Sequence, residues 1–358
     1  MFRIFANLAS FALGDFVGQA VLVSSIKELF DDCELYVYYR QDRPYKEPIV
    51  SCIRNAKLIY PLAPNAPGLA VDYFNVYHGR PVHVDALLEG NKVYWSDLFL
   101  SGNMLNDAML NSIPTTTLRP PESIFTSRRD ELVALGLDPK KWVACVYWKE
   151  ANYKYRRHQP NRIIHDPKPY FEVIRHIIEE LGGQVVRLGH PTPTEVPAMK
   201  GLVDLAKIPG SEALQLFAVS VARFFIASGS GPASYGPAFG VPTAVTDQHI
   251  CFGAWNAQDY IVTQNIVYQG KVYQPTEAFD AGFLPPDGVP LDIEFHRNTA
   301  PQLVEAVNEM FRISTDCTGW RTLVTPPPPS PRPNAFTYPL PRSLRRDLLI
   351  PPSQRRKT

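Results

Sequence analysis

Long apolar runs are missing. No stretch of this 358-residue chain approaches the ~18 consecutive apolar residues of a membrane-spanning helix. The opening "MFRIFANLASFALGDF" is apolar, but Asn7, Gly14 and Asp15 interrupt it, so it reads as a first strand and loop rather than a signal peptide. Cysteine is scarce. Cys33, Cys52, Cys145, Cys251 and Cys317 are scattered without a CxxC spacing, which argues against a disulfide framework or a zinc knuckle. They read as buried thiols in a reducing cytosol. A charge excess is also missing. With 36 basic and 35 acidic residues the net charge is +1, too little to draw the chain to nucleic acid. No internal repeat at a fixed period is visible. The phosphate-binding GxxxxGK[ST], the dinucleotide GxGxxG and the hydrolase GxSxG are all absent. His158, His165 and Asp166 lack a metal-ligand spacing, so no metal is expected.

What remains is a soluble α/β pattern. "RIFANLAS" reads as a strand, "LGDFVGQ" as a glycine loop, "AVLVSSIKELF" as a helix and "CELYVYYR" as a strand: one βαβ unit. "SCIRNAKLIYPL" suggests a further helix and strand, with more strands expected around Val82 and Val93. After Pro120-Pro121 the rhythm resumes. "SIFTSRRDELVALGL" reads as a helix, "KWVACVYW" as a strand, and "PYFEVIRHIIEELGG" as a helix stopped by Gly182-Gly183. "QVVRLG", "ARFFIAS" and "VPTAVTD" read as strands. "TAPQLVEAVNEMFRIS" reads as a helix with Thr299 as N-cap. Strands alternating with helices imply parallel sheets. The expected architecture is two α/β domains facing a cleft, residues 1–120 and 121–324. A Pro/Arg-rich tail follows over 325–358, extended and unable to bury a core. That tail has seven basic residues against one acidic, while the rest has 29 against 34. Such clustering suits peripheral contact with an anionic membrane surface, on the inner face if the protein is cytoplasmic.

Three segments carry candidate chemistry. In "FFIASGSGPASYGPAFGVPTAVTD" a strand runs into Ser228-Gly229-Ser230-Gly231. Backbone N–H groups at a strand-to-helix loop attract anions, hydroxyls add donors, and glycine permits close approach. A structural turn explains the same residues equally well. In "VYWKEANYKYRRHQPNR" a strand ends in a basic cluster that includes Lys149, Arg156 and Arg157, whose charges suit a diphosphate. In "LGDFVGQ", Gly14 and Gly18 allow a tight loop, and Asp15 at the end of the first strand suits a general base.

Taken together these segments resemble bacterial glycosyltransferases of the GT-B architecture. "ALGDFVGQAVLVSSIKELFDDCELYVYYR" is similar to the start of the ADP-heptose lipopolysaccharide heptosyltransferases. "SEALQLFAVSVARFFIASGSGPASYGPAFGVPTAVTD" is similar to their donor-binding region. A related bacterial glycosyltransferase-like family carries an HxRE-type strand end, a GxxVxRxG strand and a late helix. Here these read "VYWKEANY", "GGQVVRLG" and "EFHRNTAPQLVEAVNEMF", with Tyr147 in place of the histidine and Lys149 in place of the arginine.

The resemblance implies two Rossmann-like domains, the first for the acceptor and the second for a nucleotide-diphosphate sugar. It assigns Asp15 as catalytic base, with inversion at the anomeric centre. Lys149, Arg156, Arg157, Arg187, Ser228, Gly229, Ser230 and Gly231 are assigned to the donor, and Gly14 and Gly18 to the acceptor-side loop. The acceptor would be a glycan, a lipid-linked sugar or a protein. The only small molecule required is the donor itself, with no cofactor and no metal. Two other readings use the same residues: a non-catalytic nucleotide-sugar-binding or scaffold protein, and a sugar epimerase of similar architecture.

Overall fold

The computed structural model describes residues 2–63, 87–89, 92–94, 97–101, 114–150, 163–191, 194–248, 258–273, 294–314, 316–321 and 330–331. Two parallel sheets organise them. The first contains β1 (Phe2–Leu8), β2 (Cys33–Arg40), β3 (Ala56–Leu62) and β4 (Leu98–Ser101) in the order β3-β2-β1-β4. All three pairings are parallel. Helices α1 (Leu13–Lys27) and α2 (Lys46–Ser51) connect its strands. The expected strand at Val93 lies in Lys92–Tyr94, which pairs with Leu87–Glu89. The one at Val82, and nearly all of the Pro/Arg-rich tail, lie outside the described residues.

After α3 (Glu122–Ala134) the second sheet begins. It contains β5 (Val143–Tyr147), β6 (Gln184–Leu188), β7 (Leu202–Asp204), β8 (Phe224–Ser228), β9 (Thr243–Gln248) and β10 (Tyr260–Thr263), in the order β7-β6-β5-β8-β9-β10. Every pairing is again parallel. Its connecting helices are α4 (Lys168–Arg175), extended by a π-helical turn to Glu180, and α5 (Glu212–Ser220). A 3₁₀ turn (Gly231–Ser234) runs into the single-turn α6 (Tyr235–Ala238), and α7 (Ala300–Ile313) closes this half.

Local chemistry sets the helix ends. Gly136 takes φ +104° just beyond α3, and Gly182 takes φ +71° beyond the π-turn, where a side chain would be strained. Thr299 caps α7, its N–H donating to Gln302 Oε1 at 2.9 Å.

In β5 the pleat divides the buried side chains between two faces. Ala144 and Val146 face α4 and α7, alongside Tyr170, Val173, Leu303 and Val307. Val143, Cys145 and Tyr147 face the other way, into a core that continues through Phe217 and Val241 to Phe16, Val17, Ile4 and Val37 of the first sheet. One hydrophobic core therefore spans both sheets, and α1 lies within it. Every residue from Phe16 to Ile26 is buried. A helix apolar all round belongs inside a protein, and this one has no polar face to give to water. Three polar side chains lie within it, Gln19, Ser24 and Ser25, and Gln19 Oε1 accepts the Ser10 N–H at 3.2 Å. Ser25 Oγ donates to Val21 O at 2.7 Å and accepts the Thr116 N–H at 2.9 Å.

Candidate functional site

Strand order shows where a site can form. In an open parallel sheet, ligands settle beyond the carboxyl ends of the strands, at the point where the winding direction reverses. In the second sheet the chain starts at β5, winds out to β7, and returns on the other side as β8. The reversal lies between Tyr147 and Ser228, which end those strands. In the first sheet it lies between β1 and β4, so the segment after Leu8 occupies the equivalent place.

These two places meet. Gly14, in the first turn of α1, packs against Gly231. A methyl group added at Gly14 would lie 3.2 Å from Gly231 Cα and 3.2 Å from Ser234 Oγ. One added at Gly231 would lie 3.0 Å from the Gly14 nitrogen. Asp15, next in sequence, is exposed in the first turn of α1. An acidic side chain in the first turn complements the helix dipole. Asp15 thus stands beside the Ser230–Gly231 loop.

Ser230 is half-buried, and its hydroxyl lies 3.1 Å from the Tyr147 hydroxyl. Its backbone is extended (φ −161°), and the Ser230 carbonyl accepts the Ala233 N–H at 3.0 Å. The Ser230 and Gly231 N–H groups have no partner among the described residues. Orphan donors of this kind, together with a hydroxyl, form an anion-accepting edge.

Several expected site residues have other duties. Ser228 is 1% exposed, and its oxygen accepts the Lys149 N–H at 2.9 Å, tying the end of β5 to the end of β8. That bond uses the hydroxyl as an acceptor and makes Ser228 a clamp between the two strand ends. Gly229 is expected to admit a ligand, but the space a side chain would need there is filled by the Gln248 amide. Gly14 and Gly18 are expected in a loop, yet both lie within α1: Gly18 is buried and Gly14 half-buried against Gly231, and that packing outweighs the low helix propensity of glycine.

Arg187 is engaged within the protein. It is 2% exposed, paired with Glu150 and, at 2.9 Å, with Asp204 Oδ2, and its guanidinium stacks 4.2 Å from the Trp148 ring centroid. Trp148 Nε1 also donates to Glu150 Oε1 at 2.9 Å. The residue therefore braces the ends of β5 and β6 and presents no free fork to a donor. Lys149 is half-buried at that same edge, while Arg156 and Arg157 lie outside the described residues.

One cluster escapes sequence reading altogether. Asp247, near the end of β9, is 3% exposed and takes φ +50°, a left-handed conformation uncommon for aspartate. Tyr170 donates to its Oδ2 at 2.7 Å, the Asn298 N–H donates to Oδ1 at 2.8 Å, and the Asp247 N–H donates to Asn298 Oδ1 at 2.6 Å. Burial pushes the Asp247 carboxyl up, against the hydrogen bonds from Asn298 and Tyr170 and the charge of Arg297. Burial likewise pushes the Tyr170 hydroxyl well up and the Arg297 guanidinium down. This knot fixes the strand end next to Gln248, and through Gln248 it supports Gly229. A buried residue with positive φ is the usual mark of such a place, and nothing in "VTDQ" reveals it.

Among the described residues, no group of three His, Cys, Asp or Glu side chains could hold a metal, and no helix is long and apolar enough to cross a membrane.

No protein-family model matches the chain, and no curated protein does. Solved structures do. A glycosyl transferase family 9 protein from Veillonella parvula superposes with a TM-score of 0.52 at 11% identity, covering 87% of this chain and 98% of that one. ADP-heptose lps heptosyltransferase II of E. coli gives 0.49 at 11% identity, covering 87% and 99%. E. coli heptosyltransferase WaaC with ADP-2-deoxy-2-fluoro heptose gives 0.45 at 9%, covering 86% and 99%. At these identities the likeness is one of fold. The Veillonella structure carries it across nearly the full length of that protein.

Proposed function

We propose that this chain is a glycosyltransferase that moves a sugar from a nucleotide-diphosphate donor to a hydroxyl of a glycan, lipid-linked or protein acceptor. Residues 1–120 would serve the acceptor and residues 121–324 the donor. The observation that carries the proposal is the packing of Gly14 on Gly231, which brings the backbone next to the exposed Asp15 up to the Ser230–Gly231 edge. The fold shared with the family 9 protein supports the same reading.

The reaction assigns each group one task. Asp15 takes the proton of the acceptor hydroxyl as its oxygen attacks the anomeric carbon. The bond from that carbon to the diphosphate oxygen breaks, and the diphosphate leaves with the electron pair. Its developing charge meets the N–H groups of Ser230 and Gly231, the Ser230 hydroxyl and the basic side chains Lys149, Arg156 and Arg157. Attack from the face opposite the leaving group inverts the anomeric centre. Fixed donors and cations supply the charge stabilisation, so the mechanism runs without a metal. The Pro/Arg-rich tail would bring this chemistry to an anionic membrane surface from the cytoplasmic side.

The test is a thermal-shift series with UDP, GDP, ADP, CMP and dTDP. One of them should raise Tm by mass action, and a Ser230→Pro variant should lose that rise. No shift with any nucleotide would overturn the donor assignment.

A further inference from the structure

The transfer reaction above gives Ser230 a task and Tyr147 none. Tyr147 ends β5, the strand from which the second sheet winds out in both directions. It pairs with Ala227 of β8 on one side and with Leu188 of β6 on the other. Only 6% of it is exposed, and its ring belongs to the core that spans both sheets. Its hydroxyl reaches the loop after β8, where it lies 3.1 Å from the Ser230 hydroxyl. A ring gripped by apolar neighbours, with its polar tip at the rim of the core, is a rigid mount for a hydrogen bond.

The backbone around Ser230 is fixed by other bonds. Ser228 Oγ accepts the Lys149 N–H at 2.9 Å, the Gly229 N–H donates to Thr246 O at 2.9 Å, and Ser230 O accepts the Ala233 N–H at 3.0 Å. None of these sets the rotation of the Ser230 hydroxyl. Among the described residues, the side-chain partner of that hydroxyl is Tyr147.

Either oxygen of the pair can donate, and the direction decides what Ser230 can do. If Ser230 gave its hydrogen to Tyr147, only lone pairs would face an arriving phosphate and would repel it. If Tyr147 gives its hydrogen to Ser230, the serine hydrogen is left for the anion. A phenol is the more acidic of the two hydroxyls and the better donor. A chain running from phenol to serine to phosphate oxygen also polarises both bonds in the same sense and strengthens each.

We infer that Tyr147 is a positioning residue of the donor edge: its O–H donates to Ser230 Oγ and so turns the Ser230 hydrogen towards the diphosphate of the sugar donor. The inference rests on the glycosyltransferase reading above, which supplies the diphosphate. Tyr147 acts through Ser230 rather than by contact with the donor. Its ring is set before the ligand arrives, so the serine is already aimed when charge develops on the departing diphosphate.

The experiment is a double-mutant cycle read by titration calorimetry on the full chain. The proteins are wild type, Tyr147→Phe, Ser230→Ala and the double variant. The probes are inorganic pyrophosphate, UDP, GDP, ADP and dTDP. Tyr147→Phe keeps the buried ring and Ser230 is half-buried, so all four proteins should melt close to the wild-type Tm. With a probe that binds wild type, each single variant should lose about fivefold in affinity, the size of one net hydrogen bond. The double variant should lose no more than Ser230→Ala does, because Tyr147 works only through that hydroxyl. A tyrosine that merely packs the strand end would give losses that multiply. Multiplying losses, or a Tyr147→Phe protein that binds as wild type does, overturns the positioning role and leaves the donor assignment standing. If no probe binds wild type, the donor assignment falls and the positioning role falls with it.

Discussion

Gly14 and Gly231 lie against each other, one in the first turn of α1 and the other at the start of the 3₁₀ turn after β8, so closely that a methyl group on either would meet the other's backbone at 3.0–3.2 Å. This contact holds the two candidate halves of the site in register. A β-carbon at Gly14 would press on Gly231 and Ser234, and overpacking of this kind costs about 1–3 kcal/mol. Gly14→Val should therefore lower stability by that amount in urea denaturation, and Gly14→Ala by less, since alanine favours the helix. In both, sugar transfer should fall further than nucleotide affinity, because the wedge shifts Asp15 relative to the donor loop. A Gly14→Val protein of wild-type stability and turnover would mean that the contact yields freely.

Asp15→Asn removes the carboxylate proposed as general base while keeping the size and the helix start. Turnover should drop by about 10² or more, as for the loss of a proton acceptor, with nucleotide affinity unchanged in calorimetry. Equal turnover would remove Asp15 from the reaction.

Arg187 balances Glu150 and Asp204 in a buried place. Arg187→Met strands both carboxylates and should cost about 3–5 kcal/mol in denaturant unfolding. Adding Glu150→Gln should recover part of that loss. Arg187→Lys keeps the charge but loses the planar fork and the stacking on Trp148, so it should not restore wild-type stability. A fully stable Arg187→Met would show that the cluster relaxes or takes in water.

The Ser228 hydroxyl serves the Lys149 N–H. Ser228→Ala leaves that donor unmatched at a buried strand end and should cost about 1–3 kcal/mol. Ser230→Ala, at a half-buried position, should be nearly neutral for stability and lower nucleotide affinity instead. The reverse pattern would exchange the roles of the two serines.

Asp247 sets a pH dependence. Burial raises its folded-state pKa above the unfolded value, so the folded protein holds the proton more tightly. Its contribution to stability is complete below the unfolded value of about 3.9 and is lost as pH rises through the raised folded value. Asp247→Asn abolishes that titration. The Tm of wild type relative to Asp247→Asn should therefore fall as pH rises from about 4 towards neutrality. A difference independent of pH would show that the carboxyl titrates alike in both states.

Much of the fold can be read from local pattern. The apolar runs at Val143–Tyr147 and Phe224–Ser228 are strands, and Gly136, Gly182 and Thr299 mark helix ends where their chemistry requires. The start of α1 cannot be read this way. "LGDFVGQ" has the glycines of a loop, and it is helical because every residue from Phe16 to Ile26 is buried, with Gly14 packed on a turn roughly 200 residues away. The site divides similarly. Asp15 and Ser230 come to one edge because strand ends and glycine turns are local signals. The filling of Gly229 by Gln248, the neutralisation of Arg187 by Glu150 and Asp204, and the left-handed Asp247 depend on contacts distant in sequence, which no short motif records.

The all-round burial of α1 also bears on how the chain is made. Its cover includes the Gly231–Ser234 turn and α6, which follow it by roughly 200 residues, and translation runs at about 5–20 residues per second. For roughly 10–40 seconds of synthesis, "FVGQAVLVSSI" has no finished surface to dock on. The amino-terminal segment is then a natural client for chaperones. A fragment ending at Pro120 should be sticky and poorly folded by itself, and the complete described fold should melt as one cooperative unit rather than in two steps.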